Sequence, residues 1–320
     1  MKLLKMKLMV AVAAAGILSL FLTACAREAS SKGAGANNGS TSSGVGAAPN
    51  YRQGSQGQKA VFYFSGIPDQ DTSRWAQRYK TMADYLTKKL GVEVKGVPSV
   101  DYAAVVTGFA KGDIHLGYFG GLTGVQARLA VPDSEAIAQR PEDEKFHSVF
   151  IAQSSLPAKD LQGLKGLTFT FGSESSTSGS LMPRYFLLQA GINPEKDFKG
   201  KSNFSGSHDA TWKLVETGAF QSGALSEEVW DRAVREKTVD LTKVKEVYRT
   251  PAYYDYHWTI RGDVDKTFGP GFNERVKQAL LTLDDPKVLE LFATTQFIPT
   301  KNENYQSILQ VAKEVGVIKP

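Results

Sequence analysis

The sequence predicts an α/β protein built as two lobes, with mostly parallel sheets and two crossings of the chain between the lobes. Three observations carry that prediction. Short apolar runs of strand length alternate with amphipathic runs of helical period from Lys59 to the C-terminus. The alternation stops and restarts near Gln153 to Pro157, and again near Thr250 to His257, each time in extended, Pro-containing or Tyr-rich sequence. A strand, a hydroxyl-rich loop and a helix follow one another at Leu167 to Gly191, where such folds place ligands beyond the carboxyl ends of their strands.

The chain opens with lysines, an apolar run too short for a membrane span and Leu22-Thr23-Ala24-Cys25, the pattern of an export signal over residues 1–24. Cys25 is the sole cysteine of the 320-residue chain, which excludes an internal disulfide and any Cys-based metal cluster. Two acyl chains on Cys25 would make a stable anchor. Residues 25–58 are rich in Gly, Ser and Asn and predict a flexible tether with a reach of about 30 Å. The net charge of +5 includes the signal lysines, and no basic stripe with interleaved aromatics supports a nucleic-acid partner.

In the globular part, Ala60 to Phe64 reads as a buried strand, and Pro68 to Ser73 as a loop entering a helix with Trp75, Tyr79, Met82, Leu86 and Leu90 on its core face. Val92 to Val97 is a second strand. Pro98 to Asp101 leads into a helix whose face carries Tyr102, Val105, Val106 and Phe109. Ile114 to Phe119 is a third strand, ending in Gly120-Gly121 before another helix, and strands at Glu135 to Ala138 and Ser148 to Gln153 close the first lobe. The second lobe repeats the plan, with strands at Leu167 to Phe171, Ser202 to Phe204, Ala219 to Leu225 and Val244 to Tyr248. Beyond Thr250 an extended segment and three helices return to the first lobe. The expected division is 59–154 plus 256–320 for the first lobe and 155–255 for the second.

The stretch GSESSTSGSLMPRYFLLQAG, Gly172 to Gly191, is the strongest functional signal. Its helix carries Leu181, Tyr185 and Leu188 at core spacing and stops at Gly191, which suits a left-handed cap. One hydroxyl suffices for an N-cap, whereas Ser175, Ser176, Thr177 and Ser178 supply four where the amides of the first turn lack partners and the helix dipole is positive. That excess points to an anion site. Nucleophilic chemistry finds no support: no serine lies in G-x-S-x-G, no H-E-x-x-H occurs, and the four histidines are scattered.

In this order and spacing, Val100-Asp101-Tyr102-Ala103-Ala104-Val105-Val106, Gly112-Asp113-Ile114 with Tyr118-Phe119-Gly120, Ser176-Thr177-Ser178-Gly179, Ser205-Gly206-Ser207-His208-Asp209 and Gly218 to Ala224 ahead of Val229-Trp230 resemble the substrate-binding lipoproteins of phosphonate and phosphite ABC transporters. Leu22 to Cys25 likewise resembles the bacterial lipobox. The resemblance implies a two-lobe type II periplasmic-binding fold and no enzyme, cofactor or metal. It also implies a monomer lipidated at Cys25, held at the periplasmic or extracytoplasmic face of a bacterial membrane, handing a small tetrahedral oxyanion to an ABC permease. By the same resemblance Ser176, Thr177 and Ser178 hold the anion's oxygens, Tyr102 and Tyr118 donate from the opposite lobe, and His208 contacts the anion from a second helix start. Each of Tyr102, Tyr118 and His208 also has a packing or capping reading. Asp255 either accepts a hydrogen bond from a protonated oxyanion or is a solvated hinge residue. Two departures, His115 and Gln221 where the family usually has Asp, are expected to bear on specificity. Gly120-Gly121 replaces the usual Gly-Pro, and the run Gly120 to Arg128 resembles a branch proposed to carry selenate, the alternative ligand.

Overall fold

The computed structural model describes residues 60–70 and 72–319. The export signal, Cys25 and the tether lie outside the described residues, as does the side chain of Trp75. The chain begins with β1 (Phe62–Gly66), α1 (Thr72–Leu90), β2 (Val94–Gly96), α2 (Tyr102–Lys111), β3 (Leu116–Phe119), α3 (Gly121–Ala130) and β4 (Glu135–Gln139). It crosses and forms β5 (Ser148–Gln153), β6 (Phe169–Phe171), α4 (Met182–Gln189), β7 (Asn203–Phe204), α5 (His208–Glu216), β8 (Ser222–Ser226), α6 (Glu227–Arg235) and β9 (Val244–Arg249). After the return come β10 (His257–Ile260), α7 (Val264–Phe268), α8 (Phe272–Leu281), α9 (Pro286–Leu291), β11 (Ile298–Pro299) and α10 (Gln306–Glu314).

These strands form one sheet per lobe, in the orders β11-β4-β10-β3-β1-β2 and β7-β6-β8-β5-β9. The two-lobe α/β class stands, but both sheets are mixed. The parallel pairs flank β1 and β6: β1 lies between β2 and β3, and β6 between β7 and β8. The strands that follow each crossing, β5 and β10, run antiparallel to their neighbours.

One strand lies in the other lobe from the one its order predicts. Ser148 to Gln153 pairs with β8 and β9, so the outward crossing is 140–147 and not Gln153 to Pro157. A strand buried along almost its whole length reads as a plain apolar run and carries no mark of which sheet will take it. The first lobe's core includes Phe62, Phe64, Leu116, Phe119 and Trp258, all essentially inaccessible. Separate apolar clusters cover the two faces of the second sheet, around Phe169 and Phe171 on one and around Trp212 and Trp230 on the other. Among the described residues no helix is long and apolar enough to cross a membrane.

Candidate anion-binding site

Beyond Phe171 the chain turns at Gly172 and enters a π turn, Thr177–Leu181, before α4. Ser176 caps it in extended conformation, its Oγ accepting the Gly179 N–H at 3.0 Å. The Leu181 N–H reaches back five residues to the Ser176 carbonyl at 3.0 Å. This extra residue rotates the helix face, so that Leu187 is buried where the plain helical period puts Leu188, which is 44% exposed. Thr177, Ser178 and Ser180 are buried. Gly179 permits the close packing of the loop, because a Cβ there would stand 2.9 Å from His208 Cε1 and 3.1 Å from Gly172 Cα.

The start of α3 is the meeting point of the lobes. Gly121 N–H donates to Asp255 Oδ1 at 2.8 Å, and Leu122 N–H donates to Thr177 Oγ1 at 2.9 Å. A Cβ on Gly120 would lie 3.0 Å from both acceptor oxygens, so the glycine keeps this junction tight. Thr177 belongs to the second lobe, Gly121 and Leu122 to the first, and Asp255 to the return crossing. Asp255 is therefore a buried junction residue and not a solvated one.

Tyr102, Tyr118, His208 and Asp255 each leave a buried polar atom without a hydrogen-bond partner: the two tyrosine Oη atoms, His208 Nε2 and Asp255 Oδ2. Tyr102 begins α2, whose N-cap Asp101 accepts the Ala104 N–H at 2.7 Å. Burial first, then the carboxylates of Asp69 and Asp255, raise its phenol well above the ordinary range, with the Ser176 hydroxyl close by opposing the shift. Tyr102 is thus a neutral donor. His208 begins α5, and its Nδ1 accepts the Ser226 N–H at 3.2 Å, which assigns the proton to Nε2. Burial lowers its pKa to about 4, so it too is a neutral donor. Asp255 is pushed up to about 7, chiefly by burial, against the hydrogen bonds from Gly121 and Thr177.

Tyr253 and Tyr256, from the Tyr-rich return crossing, frame the group. Tyr253 Oη and Ser148 Oγ are 2.7 Å apart, with Ser178 alongside. Tyr256 Oη donates to Asp69 Oδ2 at 2.8 Å, and Tyr102 and Asp255 are among its polar neighbours. Tyr118 stacks on Tyr256 with ring centroids 5.6 Å apart and packs at a tilt against Trp258 at 4.9 Å. Its hydroxyl lies in the field of Arg140, away from the serine loop's partners. The structure thus brings Tyr102, Ser176, Thr177, Ser178, His208 and Asp255 together, and joins Tyr118 to them through the Tyr256 ring.

Among the described residues no lysine or arginine is hydrogen-bonded to those six side chains. The buried cations are engaged elsewhere: Arg140 Nε and Nη2 grip Asp143 at 2.8 and 2.7 Å, and Arg140 Nη1 donates to Glu228 Oε2 at 2.7 Å. His115 and Gln221 stand apart from the group, contrary to expectation. His115 Nδ1 accepts the Tyr63 N–H at 2.9 Å, and Gln221 Oε1 accepts the Thr168 N–H at 3.1 Å. Each precedes a strand and satisfies its neighbour's main chain, at the end of the sheet opposite to the helix starts. They serve strand pairing.

Neutral donors and helix starts from two α/β lobes meet at this junction. The family model for the periplasmic substrate-binding protein of phosphonate ABC transporters matches residues 64–305. The chain belongs to that family. It is 42% identical over 271 residues to the probable ABC transporter phosphite binding protein PhnD1 of Prochlorococcus marinus (strain MIT 9301), covering 81% of this chain and 91% of that protein. The structure of PhnD1 in complex with methylphosphonate superposes with a TM-score of 0.78 over 81% of this chain and 99% of that one. A binding protein component of a Pseudomonas aeruginosa ABC phosphonate transporter, 18% identical, superposes with a TM-score of 0.72 over 81% of this chain and 87% of that one, a likeness of fold. The protein is a substrate-binding transporter component acting outside the cytoplasm, and not an enzyme.

Proposed function

We propose that the chain captures a small phosphorus oxyanion, phosphite or a short phosphonate, between its lobes and delivers it to an ABC permease. The observation that carries this reading is the convergence of Tyr102 Oη, His208 Nε2 and Asp255 Oδ2, all buried without partners, on the lobe junction at Ser176 to Ser178. A tetrahedral oxyanion presents several acceptor oxygens. Two neutral side-chain donors, the serine and threonine hydroxyls and the first-turn amides answer them without a countercharge. Asp255 Oδ2 adds an oxygen that requires a shared proton. A singly protonated phosphite or phosphonate supplies one, while a fully ionised selenate or sulfate does not and meets repulsion when Asp255 is ionised. The methylphosphonate complex of a 42% identical relative supports the same ligand class.

Closure brings Thr177 against the start of α3, so anion capture and lobe closure are one event in this reading. We also propose that Cys25 is lipidated, that residues 25–58 tether the globular part to the membrane, and that the protein works as a monomer. The test is calorimetric titration of the mature chain near pH 7 with methylphosphonate, phosphite, phosphate, selenate and sulfate at equal ionic strength. Tight binding of phosphite or methylphosphonate with weak sulfate and selenate binding is expected. Tight selenate binding with no phosphorus ligand would overturn the assignment.

A further inference from the structure

Asp255 is held by more than its own carboxylate contacts. His257, two residues on and fully buried in β10, places Nδ1 2.9 Å from the Asp255 carbonyl oxygen and Nε2 2.6 Å from Arg128 Nη1. An arginine only donates, so Nε2 is the acceptor and the ring proton sits on Nδ1, donated to the Asp255 main chain. The ring is clamped in that pose. It stacks on Tyr305 at 3.8 Å, the Arg128 guanidinium lies 5.0 Å over the same tyrosine, and a Cβ on Gly124 would collide with the imidazole. Arg128 Nη1 also reaches Thr259 Oγ1 at 3.2 Å.

Arg128 lies on α3, the helix whose first amide, Gly121 N–H, binds Asp255 Oδ1. One helix therefore grips Asp255 twice: directly at Oδ1 through its N-terminus, and at the carbonyl through Arg128 and His257 near its C-terminus. The remaining oxygen, Oδ2, is the one without a partner. Because rotation of the Asp255 peptide would swing the carboxyl group away from Gly121, the carbonyl contact fixes where Oδ2 points.

We infer that Arg128 and His257 are positioning residues for anion binding, acting through Asp255 without touching the ligand. The inference rests on Asp255 being a ligand contact, as proposed above. The experiment is a double-mutant comparison in the full chain with methylphosphonate as the probe: Arg128→Met, Arg128→Lys and Asp255→Ala singly, and Arg128→Met combined with Asp255→Ala. Arg128→Met is expected to weaken binding about tenfold in the presence of Asp255 and less than twofold in its absence, since nothing is then left to position. Arg128→Lys, which keeps a donor for Nε2, should recover most of the loss. Thermal unfolding checks that each variant is folded, and Asp255→Ser, whose side chain is too short to reach the place of Oδ2, replaces Asp255→Ala if the latter is not. An equal loss in both backgrounds, or no loss in either, would overturn the positioning role. If Asp255→Ala itself binds like the parent, the Asp255 contact is what fails.

Discussion

Glu228 offers a way to separate closure of the lobes from contact with the anion. It lies in the first turn of α6 in the second lobe, and its two oxygens take Gln70 Nε2 at 3.1 Å, from the first lobe, and Arg140 Nη1 at 2.7 Å, from the start of the outward crossing. Arg232 reinforces the junction, donating to Gln70 Oε1 at 2.8 Å and standing 3.6 Å from Glu228 itself. Burial pushes the Glu228 carboxyl up, but Arg140, Arg78 and Arg232 together outweigh it and hold the group at about 2. With its folded pKa depressed, the contribution is complete above the ordinary glutamate range and is lost only as pH falls toward 2. Glu228→Gln removes the charge while Arg140 keeps both bonds to Asp143, so no cation is left buried alone. The loss is then that of a charged hydrogen bond made across the lobes, about 2 kcal/mol. Since these contacts form when the lobes meet, the loss falls on the closed state and weakens anion binding by roughly 30-fold. Calorimetry of the variant with methylphosphonate, beside denaturant unfolding without ligand, reads the two apart. Unchanged affinity with an unfolding free energy lower by about 2 kcal/mol would refute the reasoning and make the cluster ordinary packing.

Two further perturbations act on the site itself. Tyr102→Phe deletes a hydroxyl that has no partner inside the protein, so thermal stability should hold while affinity drops about tenfold; Thr177→Ala strands the Leu122 N–H and should cost about 2 kcal/mol of binding by calorimetry. A tenfold change in neither would move the site elsewhere. For Asp255, burial raises the pKa to about 7, above the ordinary value, so the proton shared between its carboxyl and the ligand is held at low pH and is lost as pH rises through about 7. The affinity of the parent relative to Asp255→Asn should therefore fall from pH 6 to pH 8, because the amide carries its own donor and does not depend on a shared proton. A ratio constant across that window would contradict a cleft-facing carboxyl.

What could be read in advance divides along physical lines. The Ser176 to Gly179 loop, the helix starts at Tyr102 and His208, and the junction around Asp255 all rest on local chemistry: a surplus of hydroxyls at a helix N-terminus, Asp and Ser caps, an aromatic turn with one acid. The lobe to which Ser148–Gln153 belongs is decided by long-range pairing with β8 and β9, which its apolar run does not encode. The π turn that exchanges Leu187 for Leu188 is invisible to a period count. Arg140, Gln70 and Glu228 meet only in three dimensions, from segments far apart in the chain. His115 and Gln221 mislead for the opposite reason: a departure from a family pattern signals a changed environment, and here the changed environment is a strand start whose main chain needed an acceptor.

The most direct measurement is a crystal structure of the chain with methylphosphonate. The phosphorus is expected at the lobe junction, its oxygens within about 3 Å of Tyr102 Oη, His208 Nε2 and the Ser176 to Ser178 loop, and one oxygen facing Asp255 Oδ2. An anion bound elsewhere, or one at the junction with Tyr102, His208 and Asp255 turned away from it, would contradict the reading.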